Sequence, residues 1–121
     1  MKSIAVIAFI FLVLFSGVVG GQETLEIKKI EFLISSVENL TGAKFIRNGS
    51  EYTGNEAAEH LRMKLKGAGS KVKTADDFIR LCASKSSMSG KPYMIRSSDG
   101  KTIKSEEYFR EKLKEYNSTL E

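Results

Sequence analysis

Apolar and polar positions alternate along the chain with helical and strand-like periods, and the first helical period runs from Leu25 to Leu40. Apolar residues recur there at steps of three and four, which places them on one face of an amphipathic helix. They are Ile27, Ile30, Leu33, Ile34, Val37 and Leu40. Thr41-Gly42 follows at once, so we predict that the helix ends there.

The stretch AKFIRNGSEYT predicts a β-hairpin. Asn48-Gly49 is the dipeptide preferred in two-residue hairpin loops, because both loop residues must accept a positive φ. With this loop, Phe45 lies opposite Tyr52, so two aromatic side chains share one face of the hairpin. The turn therefore predicts the register as well.

The stretch PYMIRSSDGKTIK predicts a second hairpin. A three-residue loop, Ser98-Asp99-Gly100, forms a type I turn with a glycine bulge and sets Ile95 opposite Ile103. The same register aligns Tyr93 with Ser105. A tighter Asp-Gly turn would set Ile103 opposite a charged residue, so we favour the bulged turn.

Three more helices are predicted from capping residues followed by apolar positions at helical spacing. Thr53-x-x-Glu56 is a capping box that opens a helix to about Lys66, and Thr74-x-x-Asp77 opens a short third helix. Ser105, followed by two glutamates, caps the last helix, since negative charge is favourable at a helix N-terminus. The residues expected to face inward are Ala58, Leu61, Leu65, Phe78, Leu81, Cys82, Phe109, Leu113 and Tyr116.

The element order α-β-β-α-α-β-β-α predicts a small single α+β domain with two short hairpins. We expect this domain to cover residues 22–121, with a frayed tail from about residue 117. The chain of 121 residues is short enough for one domain with a modest core.

The first 21 residues have the three-part pattern of a secretory signal peptide. Lys2 supplies a positive start, Ile4 to Phe15 is an unbroken apolar run, and small residues follow up to Gly21. We expect cleavage before Gln22 or after Gly20, and hence export to the periplasm or the medium. The alternative is an uncleaved membrane anchor, although the apolar run is short for a membrane span.

Charge and cysteine content narrow the possibilities further. The formal net charge is +4 at pH 7, and Cys82 is the only cysteine, which excludes an intrachain disulfide. We interpret Cys82 as a small buried apolar residue. Since no cysteine lies near the cleavage site, a lipid anchor is not expected.

The loop SKSSMSGKPY, Ser84 to Tyr93, contains Gly90-Lys91 but lacks the other residues of a phosphate-binding loop. It also follows a helix, whose C-terminal carbonyl groups repel phosphate. A weaker site for a carboxylate or a sugar remains possible, formed by hydroxyl groups and lysines. Its members are Ser86, Ser87, Ser89, Lys85 and Lys91. The alternative is a helix cap and turn that leads into the next strand.

His60 is the only histidine and shares a helix face with Glu56 and Lys64. Glu56 and His60 could act as an acid/base pair; alternatively, the three residues form a surface ladder. Zinc is disfavoured because one histidine cannot supply the usual ligand spacing. A serine hydrolase using His60 would need a loop serine or Ser70 of the Ser-x-x-Lys sequence nearby, and the chain has no Gly-x-Ser-x-Gly motif.

Between His60 and Ala75 the chain has basic residues and no acidic ones. They are Arg62, Lys64, Lys66, Lys71 and Lys73. This composition suits weak contact with an anionic surface, such as lipid headgroups or an acidic polymer. An ordinary solvated face is the alternative, and export together with the mild net charge disfavours nucleic acid.

The ordered motifs FIRNGSEYTGNEAAEHLRMKL and TADDFIRLCASKSSMSGKPYMI, followed by DG and a short final helix, resemble a family of small exported bacterial proteins, domain of unknown function 5329. The resemblance extends over about Ile27 to Tyr116. The matching positions are Arg47, Asn48, Gly49, Tyr52, Glu56, Ala57, His60, Leu61, Lys64, Thr74, Ala75, Phe78, Ile79, Ser84, Ser86, Ser87, Ser89, Gly90, Pro92 and Tyr93. The resemblance implies a bacterial envelope or secreted location but no activity.

The polar residues in these motifs exceed what turns and packing require, so we expect a shared polar site. Its candidate members are Arg47, Asn48, Tyr52, Glu56, His60, Ser84, Ser86, Ser87, Ser89, Lys91 and Tyr93. The interpretation we favour is a non-catalytic module that binds an envelope component or a protein partner, without a metal or cofactor. The alternatives are a small hydrolase or transferase with a Glu-His pair and a loop serine, and a polar network that is purely structural.

Overall fold

The structure, a computed structural model, describes residues 21–121 and confirms the predicted α+β class and element order. Helix α1 covers residues 21–38 of the described chain. The remaining elements are β1 (Lys44–Arg47), β2 (Ser50–Tyr52), α2 (Gly54–Ala68), a 3-10 turn (Gly69–Lys71), α3 (Ala75–Cys82), β3 (Met94–Arg96), β4 (Thr102–Lys104) and α4 (Ser105–Thr119). The predicted signal peptide, residues 1–21, lies outside the described residues except for its last position. Among the residues described, no helix is long and apolar enough to cross a membrane.

The two hairpins join into a single four-stranded antiparallel sheet with strand order β2-β1-β3-β4. Both predicted registers are confirmed, since Phe45 pairs with Tyr52 and Ile95 with Ile103. The first turn also has the predicted geometry, with Asn48 at φ 51° and Gly49 at φ 82°. The pairing of β1 with β3, which sets Phe45 opposite Ile95, was not predicted from the sequence.

One face of the sheet packs against the helices, and the other face carries polar side chains together with Ile46 and Met94. Phe45 and Ile95 belong to the same buried cluster as residues from all four helices of residues 21–121. On the other face, Arg96 forms a 2.8 Å ion pair with Glu51. The largest fully buried side chains are Phe78, Phe109, Leu33, Ile79, Ile95, Val37 and Cys82.

The interpretation of Cys82 as a buried apolar residue is confirmed, and burial raises the pKa of its thiol. The burial of two other residues was predicted wrongly. Leu81 is 39% exposed because α3 turns Ala75, Phe78, Ile79 and Cys82 to the core, and Leu81 lies beside that arc. Ile27 is 55% exposed because the core at this end of α1 begins only with Ile30.

The start of α4 also differs from the prediction. Ser105 is the first helical residue rather than the cap, and Lys104 occupies the cap position without a side-chain hydrogen bond. The reason is that the Ser105 amide donates to the Tyr93 carbonyl oxygen at 2.8 Å, which continues the hairpin by one residue. At its other end the helix extends to Thr119, whose hydroxyl donates to the Tyr116 carbonyl oxygen.

The N-terminus of α2 lies against the end of α1, and Gly54 permits this approach. A Cβ atom at Gly54 would lie 2.6 Å from the Val37 carbonyl oxygen, which is too close for any side chain. Thr53 caps the helix through its side chain, which accepts from the Glu56 amide at 3.2 Å. The close approach of Gly54 to the end of α1 fixes α2 over the sheet and therefore positions the side chains on α2.

We expect Gly54→Ala to lower the free energy of unfolding by about 1–3 kcal/mol, because the new Cβ overlaps backbone that cannot move cheaply. Gly67→Ala in the same helix is the matched control, since a Cβ there meets nothing within 4 Å. That change should stabilise the protein by up to about 1 kcal/mol through helix propensity. Urea unfolding measures both, and a Gly54→Ala protein as stable as the parent would contradict the assignment.

Candidate functional site

A cavity of about 290 Å³ opens between α2 and the helix-covered side of the sheet. Apolar side chains form most of its wall, and a group of polar side chains interrupts them. Its lining residues are Val37, Phe45, Ile46, Arg47, Tyr52, Glu56, Ala57, Glu59, His60, Leu61, Met63, Tyr93, Met94, Ser105 and Phe109. We refer to this space as the α2 pocket.

The sheet register brings three polar residues of the α2 pocket together. Ile46 pairs with Met94, so Arg47 and Tyr93 lie one residue further along the same two strands. Tyr93 in turn faces Ser105 across the second hairpin. Because directly opposed residues share a face, Arg47, Tyr93 and Ser105 form one row on the side covered by the helices.

Helix α2 adds His60 above this row. The nearest Arg47 nitrogen, Nη1, lies 2.9 Å from His60 Nδ1 and 3.2 Å from Nε2. Its second terminal nitrogen donates to the Tyr52 hydroxyl at 3.0 Å, and the guanidinium carbon lies 4.9 Å from the centre of the Tyr52 ring. Arg47 therefore connects the first hairpin to the helix.

Tyr93 continues the network on the other side of His60. Its hydroxyl oxygen lies 3.2 Å from His60 Nε2 and 3.0 Å from Lys64 Nζ. Lys64 also donates to the carbonyl oxygen of Lys85 at 3.0 Å. One connected set of hydrogen bonds thus runs from Tyr52 through Arg47, His60 and Tyr93 to Lys64.

The contacts of His60 require a neutral ring. Arg47 Nη1 lies within hydrogen-bond distance of both ring nitrogens, and arginine can only donate. One ring nitrogen must therefore accept from Arg47, which a doubly protonated ring could not do.

The surroundings of His60 also disfavour its cationic form. Burial lowers the pKa of the ring most, and the charges of Arg47 and Lys64 lower it further. A protonated ring would have an N–H donor on both nitrogens. It could not accept a hydrogen bond from Arg47, and its positive charge would repel the guanidinium group. His60 is therefore a neutral connector at neutral pH.

The acid/base hypothesis requires Glu56 to pair with His60. In the structure the Glu56 carboxylate instead bonds to the backbone. Its Oε1 atom accepts from the Thr53 amide at 2.9 Å, which completes the predicted capping box. The hydrogen bond from that backbone amide is the main cause of the lowered pKa of Glu56. Glu56 lines the α2 pocket as a carboxylate already engaged by the backbone.

The loop from Ser84 to Lys91 lies outside the pocket lining, and three of its four serine hydroxyls bond within the fold. Ser84 donates to the Ile79 carbonyl oxygen at 2.5 Å, and the Ser86 hydroxyl accepts from the amides of Met88 and Ser89. Ser89 donates to the Asn48 side-chain oxygen at 2.5 Å. Ser87 is exposed, and no hydrogen bond of its side chain occurs among residues 21–121.

The arrangement therefore divides the predicted site into two parts. Arg47, Tyr52, Glu56, His60 and Tyr93 surround one cavity. The remaining predicted members, Asn48, Ser84, Ser86, Ser87, Ser89 and Lys91, form or adjoin a braced loop. This second group has the geometry of the helix-cap and turn alternative.

Sequence reasoning missed Lys64 as a member of the hydrogen-bond network and Ser105 as a residue of the pocket wall. Lys64 was assigned to a basic surface stretch, yet its ammonium group lies 4.9 Å from the centre of the Tyr93 ring and caps the network. Ser105 was assigned as a helix cap, yet it is 4% exposed, and no hydrogen bond to its hydroxyl occurs in the described chain. The predicted alignment of Tyr93 with Ser105 was the available signal for the second.

The other residues of the basic stretch lie at the surface. Arg62 forms a 2.9 Å ion pair with Glu38, while Lys66, Lys71 and Lys73 are exposed. Within residues 21–121 there is no group of three or more His, Cys, Asp or Glu side chains that could hold a metal ion.

Comparison with known proteins places no activity on this site. Residues 24–117 match the model of a family described as a family of unknown function (DUF5329). An uncharacterized protein from Salmonella typhimurium strain LT2, YfeK, is 37% identical over 65 residues. The aligned part is 54% of each protein, so the chain spans about half the length of that curated relative. No solved structure matches the chain.

We expect the free energy of unfolding to fall as the pH is lowered from about 7.5 to about 5.5, because protonation of His60 opposes the folded state. The folded pKa lies below the ordinary value of 6.5. The contribution of the neutral ring to the free energy of unfolding is therefore complete above pH 6.5, and it is lost as the pH falls towards the pKa of the folded protein. Urea unfolding of the parent and of His60→Gln measures this, and an unchanged pH slope in the variant would contradict it.

We expect Ser105→Ala to leave stability unchanged or to raise it by about 0.5–1 kcal/mol, because no protein hydrogen bond is lost and alanine favours the helix. Ser86→Ala is the matched control, since that buried hydroxyl accepts two amides. It should lower the free energy of unfolding by about 1–3 kcal/mol. Equal losses in both variants would show that the Ser105 hydroxyl has a protein partner.

Proposed function

This chain belongs to the DUF5329 family of unknown function, and we propose that it is a non-catalytic binding module of the bacterial cell envelope whose ligand enters the α2 pocket. The signal-peptide pattern of residues 1–21 supports the envelope location. The observation that carries the binding role is the open cavity next to the Arg47–His60–Tyr93 network. Apolar walls with a few converging polar groups are typical of small-molecule sites.

The cavity distinguishes this proposal from a purely structural network. Hydrogen bonds between a hairpin and a helix could brace the fold without leaving open space beside them. Here Phe45 and Leu61 are buried in the core and also line the pocket, so part of the core borders an opening to solvent. A small ligand would cover that apolar surface, and its burial would favour binding.

The alternative of a small hydrolase receives less support. It requires a serine hydroxyl beside His60 and a carboxylate that orients the ring. Among the described residues no serine hydrogen-bonds His60, and the ring nitrogens instead face Arg47 and Tyr93. A binding role needs only the groups that line the pocket.

The test is a titration of the chain from Gln22, which contains β1 to α4 and all but one residue of described α1, followed by backbone amide chemical shifts. Muropeptides, anionic lipid micelles and acidic sugars are the probes. We expect the shifts to cluster at Arg47, Tyr52, His60 and Tyr93. Shifts confined to the basic residues Arg62 to Lys73 would instead indicate charge attraction.

A pocket-filling variant sharpens this test. Ala57→Leu adds bulk to the pocket wall at little cost in helix propensity, so it should abolish the clustered shifts. Lys66→Leu introduces the same side chain on an exposed part of α2 outside the lining and should leave them unchanged. Binding that survives Ala57→Leu at full strength would contradict the proposed site.

A further inference from the structure

We infer that the α2 pocket is built for a hydrogen-bond acceptor, and that its ligand class is a small apolar molecule with one carboxylate. This inference rests on the proposed binding function and specifies its chemistry. Three features of the pocket support it: hydroxyl donors without a protein acceptor, a local positive charge and an apolar wall.

The network leaves a phenol proton without a protein acceptor. The Tyr52 oxygen receives a hydrogen bond from Arg47, and no acceptor for the Tyr52 proton occurs among residues 21–121. The Tyr93 oxygen receives one from Lys64 and is also hydrogen-bonded to His60 Nε2. The Tyr52 hydroxyl is therefore an unpaired donor in the pocket next to a guanidinium group.

Ser105 adds a second hydroxyl at the other end of the row that Arg47 and Tyr93 form on the sheet. The residue is 4% exposed and lines the pocket, and no hydrogen bond to its hydroxyl occurs in the described part of the chain. It lies two strands from Arg47, or roughly 10 Å across the sheet. No fully buried side-chain oxygen or nitrogen lacks a partner among residues 21–121, so the Ser105 oxygen is accessible from the pocket, and a ligand can engage it.

Charge determines which acceptor suits the Arg47 end. Arg47 is a cation, Lys64 stands behind Tyr93, and the neutral His60 between them offers no negative charge. Guanidinium and phenol donors together bind a carboxylate well. Glu56 and Glu59 also line the pocket, and their negative charge disfavours a dianion such as phosphate monoester.

The remainder of the pocket selects an apolar body. Phe45, Leu61 and Phe109 are buried side chains that line it, and Ala57 contributes from α2. The volume of about 290 Å³ equals that of about ten water molecules. A single ring with a short chain fits this space, and anything longer would extend through the opening.

The experiment compares three probes that share one apolar body: 4-phenylbutanoate, 4-phenylbutylamine and 4-phenyl-1-butanol. Backbone amide shifts of the chain from Gln22 report where and how tightly each binds. We expect 4-phenylbutanoate to shift Arg47, Tyr52 and Tyr93 and to bind at least tenfold more tightly than the amine. Equal binding of the alcohol and the carboxylate would overturn the preference for an anion.

Tyr52→Phe tests the donor directly, since it removes the hydroxyl and keeps the ring beneath Arg47. Binding of 4-phenylbutanoate should weaken roughly three- to tenfold. Tyr116→Phe is the matched control, because Tyr116 packs on Phe32 away from the pocket, and it should leave binding unchanged. Equal effects of the two changes would overturn the role of the Tyr52 hydroxyl.

The outcomes separate this inference from the proposed function. Preferential binding of the amine at the same amides would overturn the acceptor class but retain a binding pocket. Absence of shifts with all three probes, while the envelope fragments still bind and Ala57→Leu still blocks them, would overturn the inference alone. Absence of shifts with every probe would overturn both.

Discussion

The pairing of β1 with β3 is the interaction on which the rest of the structure depends. Each hairpin alone is a marginal two-stranded unit. Joined between Phe45 and Ile95, they form one sheet with a continuous apolar face for the four helices. The same pairing brings Arg47 beside Tyr93, so the contact that completes the core also assembles the polar end of the α2 pocket.

The hydrogen bonds of His60 both stabilise the fold and determine which polar groups remain free in the pocket. The His60 ring lies between two cations and is neutral, because one of its nitrogens accepts from Arg47 while Nε2 is hydrogen-bonded to the Tyr93 hydroxyl. This arrangement aligns α2 with the sheet, but it uses up the acceptors of the network and leaves donors facing the cavity. The proposed ligand supplies what the fold lacks, namely a negatively charged acceptor close to Arg47.

Local sequence signals predicted much of the fold and less of the site. Asn48-Gly49 and the two capping boxes specify turns and helix starts through contacts between residues that are close in the chain. A single sequence is therefore enough to predict them. The joining of the hairpins is a long-range event that no short motif encodes. The site depends on it, so Arg47 and His60 could be chosen as candidates but not placed in contact. The partners of the loop serines are likewise not encoded in a short motif, since Ser84 and Ser86 bond to backbone groups and Ser89 to the Asn48 side chain.

The central claim is that His60 is neutral in the folded protein, because only a neutral ring can accept a hydrogen bond from Arg47. Nitrogen-15 chemical shifts of the imidazole ring, measured at neutral pH, test it most directly. The account predicts one protonated and one unprotonated ring nitrogen. Protons on both nitrogens would contradict the network and with it the inferred preference for a carboxylate.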